Sequence, residues 1–344
     1  LQQFVQSAER PLTLEELPTA FTRYWKQKDD LDRFLATFIP PDMEWMEDWE
    51  KYKSDGRLPD DSGLQALVEA RIRWEILAEY GFNARIGRTL EKSGSSVAGV
   101  DDEVIKESID ALNEQLREPI GVLRDLDVET VARCALGILT QMKNRGALFL
   151  EEATSYILHL GKTWNWNRNL HLPNFGPQSR TPAFLIDGRS DRFDMLVAQS
   201  GRKSWYEDWV IKCFVGTGEL IESYVPDILR SIVEILHRHE VLHSQETQHG
   251  PVYALVPKCF RVSTGVMQLR CSKCGHALSV PEERGEQWVS SPCLRYSCNG
   301  MFRVEEQSGS YYASLYGGGD IQRLVSREHT GLLDSGTRKE VEEA

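Results

Sequence analysis

Apolar residues recur at helical spacing through most of the first 160 residues of the chain. In the run from 62 to 80, the residues that share one helical face are Leu64, Leu67, Val68, Ile72, Ile76 and Leu77. The same periodicity predicts helices over residues 102–116 and 128–142. Thr13, with Glu16 three residues later, has the form of a capping box at the start of another helix. The pattern therefore predicts a helical region over residues 1–163, and we interpret its apolar stripes as core.

Two stretches interrupt this helical pattern. Three Ser and two Gly between residues 93 and 101 predict a flexible break. Residues 164–200 open with a segment rich in Pro, Gly, Asn and Arg, which predicts an irregular connection. Basic and aromatic residues in this connection and just after it could form a surface that stacks bases and contacts phosphates: Arg180, Arg189, Arg192, Arg202, Lys203, Trp164, Trp166 and Trp205. Alternatively, neighbouring acids pair with these bases: Asp187, Asp191, Asp194, Glu207 and Asp208.

Residues 226–239 carry the clearest helical pattern of the chain, with Pro226 suited to the first turn. Apolar runs at 241–243 and 252–256 flank a polar turn and predict two strands. Helix, strand, turn and strand in this order are typical of the second half of a winged helix, which we predict over residues 201–262. The histidines of this segment do not have a spacing that converges on one metal ion: His237, His239, His243 and His249.

Composition and charge exclude several classes of protein. The chain has 344 residues, with 40 Lys and Arg against 52 Asp and Glu, and hence a net charge of −12. This charge argues against a wholly basic nucleic-acid coat or a polybasic membrane binder, although it is compatible with a local basic face. No run of about 18 apolar residues and no signal-peptide pattern occurs. The seven cysteines are an odd number, and four of them lie in metal-ligand pairs, which indicates a reducing, cytoplasmic location.

The four cysteines with metal-ligand spacing are Cys271, Cys274, Cys293 and Cys298. Gly275 follows the first pair and allows the turn that points backbone amides at thiolates. Four thiolates favour tetrahedral Zn²⁺ with no open position, so we predict a structural zinc ribbon over residues 263–305. Its predicted strands cover 277–280 and 287–289, and the wider second pair leaves His276 as an alternative ligand. The remaining cysteines are predicted to lie in the core: Cys134, Cys213 and Cys259.

The chain lacks the motifs of common catalytic sites. No Walker A motif, no dinucleotide-binding glycine pattern, no G-x-S-x-G and no H-E-x-x-H occurs. The glycine run at residues 317–320 predicts a turn, because no Lys-Ser/Thr follows it. We therefore expect no complete catalytic site in these residues.

The last residues carry a family resemblance. A strand from residue 321, the turn from His329 to Gly331 and a helix with Arg338 resemble the early part of the second RecA-like lobe of superfamily 2 helicases. The other matching stretches are residues 10–17, residues 88–95, the four-cysteine ribbon and residues 327–331. The whole chain resembles the region between the motor lobes of large bacterial DEAD/DEAH-box helicases from anti-phage defence clusters, several of which carry a DUF1998-type zinc-binding end.

This resemblance implies a mainly α fold with small β elements. Its parts are the helical region, the winged helix, the four-Cys zinc ribbon and a truncated α/β RecA-like edge at residues 306–344. The implied activity is that of an ATP-dependent DNA helicase or translocase in antiviral defence. ATP and Mg²⁺ would bind only in a longer polypeptide. The chain is predicted to be a piece of such a polypeptide, because it starts without Met and ends in a helical pattern. The implied partners are DNA and other defence-system proteins.

The expected phosphate contacts are Arg180, Arg202, Lys203, Lys273 and Arg295. The residues expected to face the nucleic acid at the lobe surface are His329, Thr330 and Gly331. One alternative is a non-catalytic adaptor in which the winged helix and zinc ribbon bind DNA or protein. Another is a scaffold that binds a partner protein through the acidic, helical half. The net charge of −12 favours protein contact, whereas the His-Thr-Gly turn favours the helicase.

Overall fold

The computed structural model describes residues 1–27, 46–56, 64–82, 89–117, 127–149, 181–188, 190, 193–199, 201–215 and 221–305. Helices and short strands alternate along these residues, so the fold is mixed helix and sheet. The helices are α1 (Gln2–Ser7), α2 (Glu16–Lys26), α3 (Met46–Asp55), α4 (Leu64–Leu77), α5 (Asp102–Arg117), α6 (Val128–Asn144), α7 (Trp205–Cys213), α8 (Ile221–Arg238) and α9 (Gly285–Trp288). A π-helical turn, Ala78–Phe82, continues α4.

The helices predicted from apolar periodicity at 62–80, 102–116 and 128–142 are confirmed as α4, α5 and α6. The predicted capping-box bonds before α2 are also present. The Glu16 amide donates to Thr13 Oγ1 at 3.1 Å, and the Thr13 amide donates to Glu16 Oε2 at 2.9 Å. These bonds satisfy amides that the first helical turn leaves without a partner.

The strands form three small sheets. They are β1 (Leu12–Thr13), β2 (Val97–Val100), β3 (Thr181–Leu185), β4 (Phe193–Met195), β5 (Leu242–Thr247), β6 (Gly250–Leu255), β7 (Phe260–Ser263), β8 (Val266–Cys271), β9 (Ala277–Pro281) and β10 (Phe302–Val304). The first sheet has the order β1-β7-β2, the second β4-β3-β6-β5 and the third β10-β8-β9. All neighbours are antiparallel except β3 and β4.

The predicted order of helix, strand, turn and strand is present as α8, β5 and β6. The two strands form a hairpin in which Leu242 lies opposite Leu255. The helix begins at Ile221 rather than in the predicted turn around Pro226, so the proline lies inside it. Ile221 and Val225 extend the buried face of the helix. Burial of this additional turn outweighs the hydrogen bond that proline cannot donate.

The predicted flexible break at 93–101 is wrong, because its second half forms β2 in the first sheet. The small residues before and within this strand serve close packing. The hydroxyls of buried Ser96 and Tyr80 lie 2.8 Å apart in a hydrogen bond. A Cβ on Gly99 would lie 2.4 Å from Pro281 Cγ of β9, so only glycine permits this approach.

Two further predictions are corrected. The connection at 164–200 is not irregular throughout, since its described part contains β3 and β4. The segment predicted as a strand at 287–289 instead includes the end of α9, in which Trp288 is buried. Its ring stacks on that of Trp209 in α7, with the centroids 6.3 Å apart. In both segments, partners distant in sequence determine the local structure.

One hydrophobic cluster joins the described residues from Phe4 to Phe302 and contains members of all three sheets. A smaller cluster covers the other face of β3 and β4. Because β1 and β2 flank β7, the segments predicted as a helical region and as a winged helix share one sheet. Within the described residues, no helix is sufficiently long and apolar to cross a membrane. The predicted RecA-like segment, residues 306–344, lies outside the described residues.

Candidate metal centre

Four cysteine sulfurs come together where the loops after β8 and before β10 meet. All four Sγ atoms lie within 4.8 Å of one another, and the residues are Cys271, Cys274, Cys293 and Cys298. The Sγ atoms of Cys271 and Cys298 are 3.8 Å apart, and those of Cys274 and Cys293 are 3.6 Å apart. Zn–S bonds of about 2.3 Å would place the sulfurs of a regular tetrahedron about 3.8 Å apart. The four cysteines could therefore hold a metal ion such as zinc.

The two cysteine loops have matching local geometry. The amide of Lys273 donates to Cys271 Sγ at 3.4 Å, and the amide of Arg295 donates to Cys293 Sγ at 3.3 Å. Gly275 closes the first loop in the left-handed region, with φ of +70°. In the second loop the extra residues form a turn in which Ser297 has φ of 58°. The spacing between Cys293 and Cys298 is wider than that of the first pair, but a backbone amide still donates to Cys293 Sγ.

The four thiols experience different electrostatic environments. Burial raises the pKa of the Cys271 thiol, but hydrogen bonds from the amides of Cys274 and Lys273 outweigh it and lower the pKa to about 6. At Cys293, burial is the largest cause and raises the pKa of the thiol. A bound cation would supply the positive charge that allows all four to be thiolates.

Gly300 is a residue of the site that the sequence analysis missed. A Cβ at this position would lie 2.3 Å from Cys271 Sγ and 3.0 Å from Lys273 Cβ. The carbonyl of Gly300 also accepts a hydrogen bond from the Cys293 amide at 2.9 Å. The signal was a glycine two residues after the last cysteine, but only the folded loop shows which atom it approaches.

The second cysteine loop is fastened to α7. Lys212 Nζ donates to the carbonyl oxygens of Cys293 at 3.2 Å and Arg295 at 2.8 Å, and it pairs with Asp208 at 2.7 Å. The Ser297 amide donates to the same aspartate at 3.1 Å. At the start of α7, the indole N–H of Trp205 donates to the Leu294 carbonyl. One face of a single helix therefore positions the backbone of this loop.

Several predicted nucleic-acid residues lie on or near the cysteine loops. Lys273 and Arg295 are exposed and occupy the third position of the first and second loop, respectively. Arg202 lies over the ring of Tyr296, with its guanidinium carbon 4.9 Å from the centroid. Lys203 pairs with Glu222 at 2.8 Å. The predicted residues outside the described part of the chain are Trp164, Trp166, Arg180, Arg189, Arg192, His329, Thr330 and Gly331.

Three of the acids that could neutralise this surface form ion pairs elsewhere in the described residues. Asp187 pairs with Arg230 and Asp208 with Lys212. Asp194 forms an ion pair with Arg145. These three ion pairs involve bases outside the predicted set. Glu207 accepts a hydrogen bond from the Ser204 amide, and Asp191 lies outside the described residues.

The other candidate ligands lie apart from the four sulfurs. The ring of His276 packs against that of Phe302, with centroids 6.1 Å apart, and it is not part of the group within 4.8 Å. The histidines of the hairpin segment are directed to different partners, as the sequence spacing indicates. His237 Nδ1 lies 3.0 Å from the Leu242 carbonyl, and the His243 ring lies against Phe149. The remaining cysteines are buried or partly buried, and they are Cys134, Cys213 and Cys259.

Within the described residues, the candidate centre thus consists of four sulfurs, two loops with basic residues at matching positions, and one supporting helix. Compared with known proteins, the chain matches no protein-family model, no curated protein and no solved structure.

Proposed function

We propose that the four cysteines bind one structural Zn²⁺ in a zinc ribbon. The supporting observations are the sulfur distances of 3.6 and 3.8 Å and the amide donors to Cys271 and Cys293. Four protein ligands leave no position for water or substrate, so the ion would stabilise the fold rather than catalyse a reaction. The four cysteines must stay reduced to bind the ion as thiolates, and a cytoplasmic location would meet this condition.

Metal analysis of the purified chain tests this proposal. The expected result is one zinc per chain in the wild type and none in Cys274→Ala. Cys259→Ala also removes a sulfur, but one distant from the cluster, and it should retain the zinc. A chain that binds no zinc when purified with reductant, or a Cys274→Ala variant that keeps it, would contradict the proposal.

We further propose that the chain is the DNA-handling region between the motor lobes of an ATP-dependent helicase or translocase that acts in anti-phage defence. The family resemblance supports the motor, and it assigns ATP and Mg²⁺ to the rest of the longer polypeptide. In this proposal residues 201–262 are a winged helix and residues 306–344 begin the second RecA-like lobe.

The observation that carries the DNA contact is the placement of Lys273 and Arg295. Both are exposed at matching positions of the two cysteine loops, on a chain whose net charge is −12. Arg202 lies beside the second loop through its contact with Tyr296. Basic side chains held on a rigid, metal-bound loop can contact phosphates with little loss of entropy.

Helix α8 is a weaker candidate for the DNA contact than the cysteine loops. Arg230 pairs with Asp187 and Asp227, and Arg238 pairs with Glu234. The proposal therefore assigns the phosphate contacts to the loops and a structural role to the hairpin segment.

A salt titration of DNA binding tests the assignment. We expect Lys273→Glu with Arg295→Glu to weaken binding and to reduce the slope of log K against log salt by about 1.4, as for two phosphate contacts on a single strand. The matched control, Lys51→Glu with Lys106→Glu, makes the same charge change at exposed helical positions. Equal effects of both double variants would reject the loops as the contact.

The motor requires a separate measurement. DNA-stimulated ATP hydrolysis by the longer polypeptide is expected, and the double loop variant should lower the stimulation. An adaptor is the second candidate, because the acidic net charge of −12 favours protein contact. The absence of DNA binding by the chain and of ATP hydrolysis by the longer polypeptide would favour the adaptor.

A further inference from the structure

A groove of about 710 Å³ lies beside the second cysteine loop. The loop before β2, the end of α6, the start of α7, β9 and both cysteine loops form its walls. The side chains relevant to binding are Lys92, Arg145, Trp205, His276, Arg295 and Tyr296. Lys92 and Arg295 are exposed, so the groove is accessible to solvent. We call it the loop groove.

The lining of the loop groove is positively charged although the chain is acidic. Lys92, Arg145 and Arg295 supply three cations, and Glu91 is the one acid among the described lining residues. The Glu91 carboxylate is buried in an ion pair with Lys143, whose ammonium also donates to the Ala98 carbonyl at 2.8 Å. Its charge is thus balanced from behind the groove wall. Arg145 is likewise paired with Asp194, so the excess of positive charge in the lining comes from Lys92 and Arg295.

The loop groove also presents flat rings. Trp205 begins α7, Tyr296 belongs to the second cysteine loop and His276 directly precedes β9. Both large rings are held in place, because Tyr296 donates its hydroxyl to the Lys203 carbonyl at 3.2 Å and the Trp205 indole stacks on Trp209. Rigid aromatic side chains among cations are the arrangement that binds unpaired bases together with their phosphates.

We infer that the loop groove binds a single strand of nucleic acid, with phosphates on Lys92 and Arg295 and a base on Tyr296. This inference rests on the proposed DNA handling and names where the strand lies. A protein recognises a duplex by inserting a helix or strand into a groove of the DNA. Here the groove is in the protein, and the nucleic acid must enter it. Stacking on rings inside the groove requires bases that are not paired.

The test is fluorescence anisotropy of the full chain with a labelled oligothymidylate of about 12 nucleotides. We expect Lys92→Glu and Tyr296→Leu to weaken binding about fivefold or more. Tyr296→Phe keeps the ring and Lys106→Glu makes the matched charge change on α5, so each should change affinity less than about twofold. Zinc content and the melting temperature of each variant verify that the site remains folded.

Different results identify which proposal fails. If the double loop variant weakens binding but Lys92→Glu and Tyr296→Leu do not, the loop groove is wrong and the proposed function stands. If the wild-type chain binds no oligonucleotide, the proposed DNA handling fails, and the inference fails with it. Equal affinity for the matching duplex, or displacement of the strand by free thymidine monophosphate at similar concentration, would overturn a single strand as the occupant.

Discussion

At the scale of the residue, Gly300 determines whether the two cysteine loops can close. Any other residue would have a Cβ at this position, and that atom would lie 2.3 Å from Cys271 Sγ. We expect Gly300→Ala to destabilise the chain by about 1–3 kcal/mol, because the loop must move away from the sulfur, and to weaken zinc binding. Thermal unfolding and zinc content measure the two effects. Asn299→Ala alters the neighbouring exposed residue and should leave both unchanged; unchanged values for Gly300→Ala would contradict the assigned role.

Glu16 makes the start of α2 sensitive to acid. Hydrogen bonds from the Arg10 side chain and then from the Thr13 amide lower the pKa of Glu16 to about 2, from an ordinary value of 4.5. Since the folded pKa is the lower one, its contribution is complete above pH 4.5 and is lost as pH falls towards 2. The side chain is 40% exposed, so solvent screening reduces this contribution to about 1 kcal/mol or less.

The free energy of unfolding should be measured between about pH 5 and about pH 2.5, which brackets this loss. It should fall less for Glu16→Gln than for the wild type. Glu15→Gln removes the adjacent carboxylate, to which neither of these hydrogen bonds is made, and serves as the control. Identical acid dependence of the wild type and Glu16→Gln would show that the capping bonds do not contribute.

At the scale of the element, α7 connects the metal centre to the helical body. Lys212 is 11% exposed and holds two carbonyls of the second cysteine loop. We expect Lys212→Met to destabilise the chain by about 2–3 kcal/mol, because it leaves these carbonyls and Asp208 without their charged partner, and to accelerate zinc release to a chelator. Lys258→Met removes an exposed ion pair with Glu240 and should change stability by less than about 1 kcal/mol. Equal zinc release rates in the two variants would count against a docking role for α7.

Elements with local signals could be predicted from the sequence, and elements made by distant partners could not. The apolar periodicity correctly indicated α4, α5 and α6, because each helix buries one face. The cysteine spacing indicated the four sulfurs that the structure brings within 4.8 Å. By contrast, the local sequence predicts a flexible break where the structure has β2, because the partner strand β7 lies far along the chain. Trp288 was placed in a strand because its stack on Trp209 has no signature in the neighbouring residues.

At the scale of the whole molecule, the four-cysteine site belongs to the main core. Cys271 and Cys293 are members of the hydrophobic cluster that extends to the N-terminal helices. The third sheet also contacts the first, where Pro281 of β9 meets Gly99 of β2. Trp288 links the cysteine region to α7 through its stack on Trp209. Because the four-cysteine region makes these contacts with the rest of the described body, we expect the two to unfold together.

Removal of the metal should therefore destabilise the entire described body. We expect the Cys274→Ala chain to unfold in one transition with a free energy of unfolding lower by at least about 3 kcal/mol. The reason is that the three remaining cysteines lose the metal ion that they would bind together. Hydrogen exchange should quicken in α6 and α7 as well as in residues 263–305. Cys259→Ala alters a buried cysteine that is not one of the four, and it should preserve slow exchange around the four-cysteine site. If the ribbon alone lost protection while α6 and α7 kept theirs, it would be an independent module whose metal stabilises only the loops that bind it.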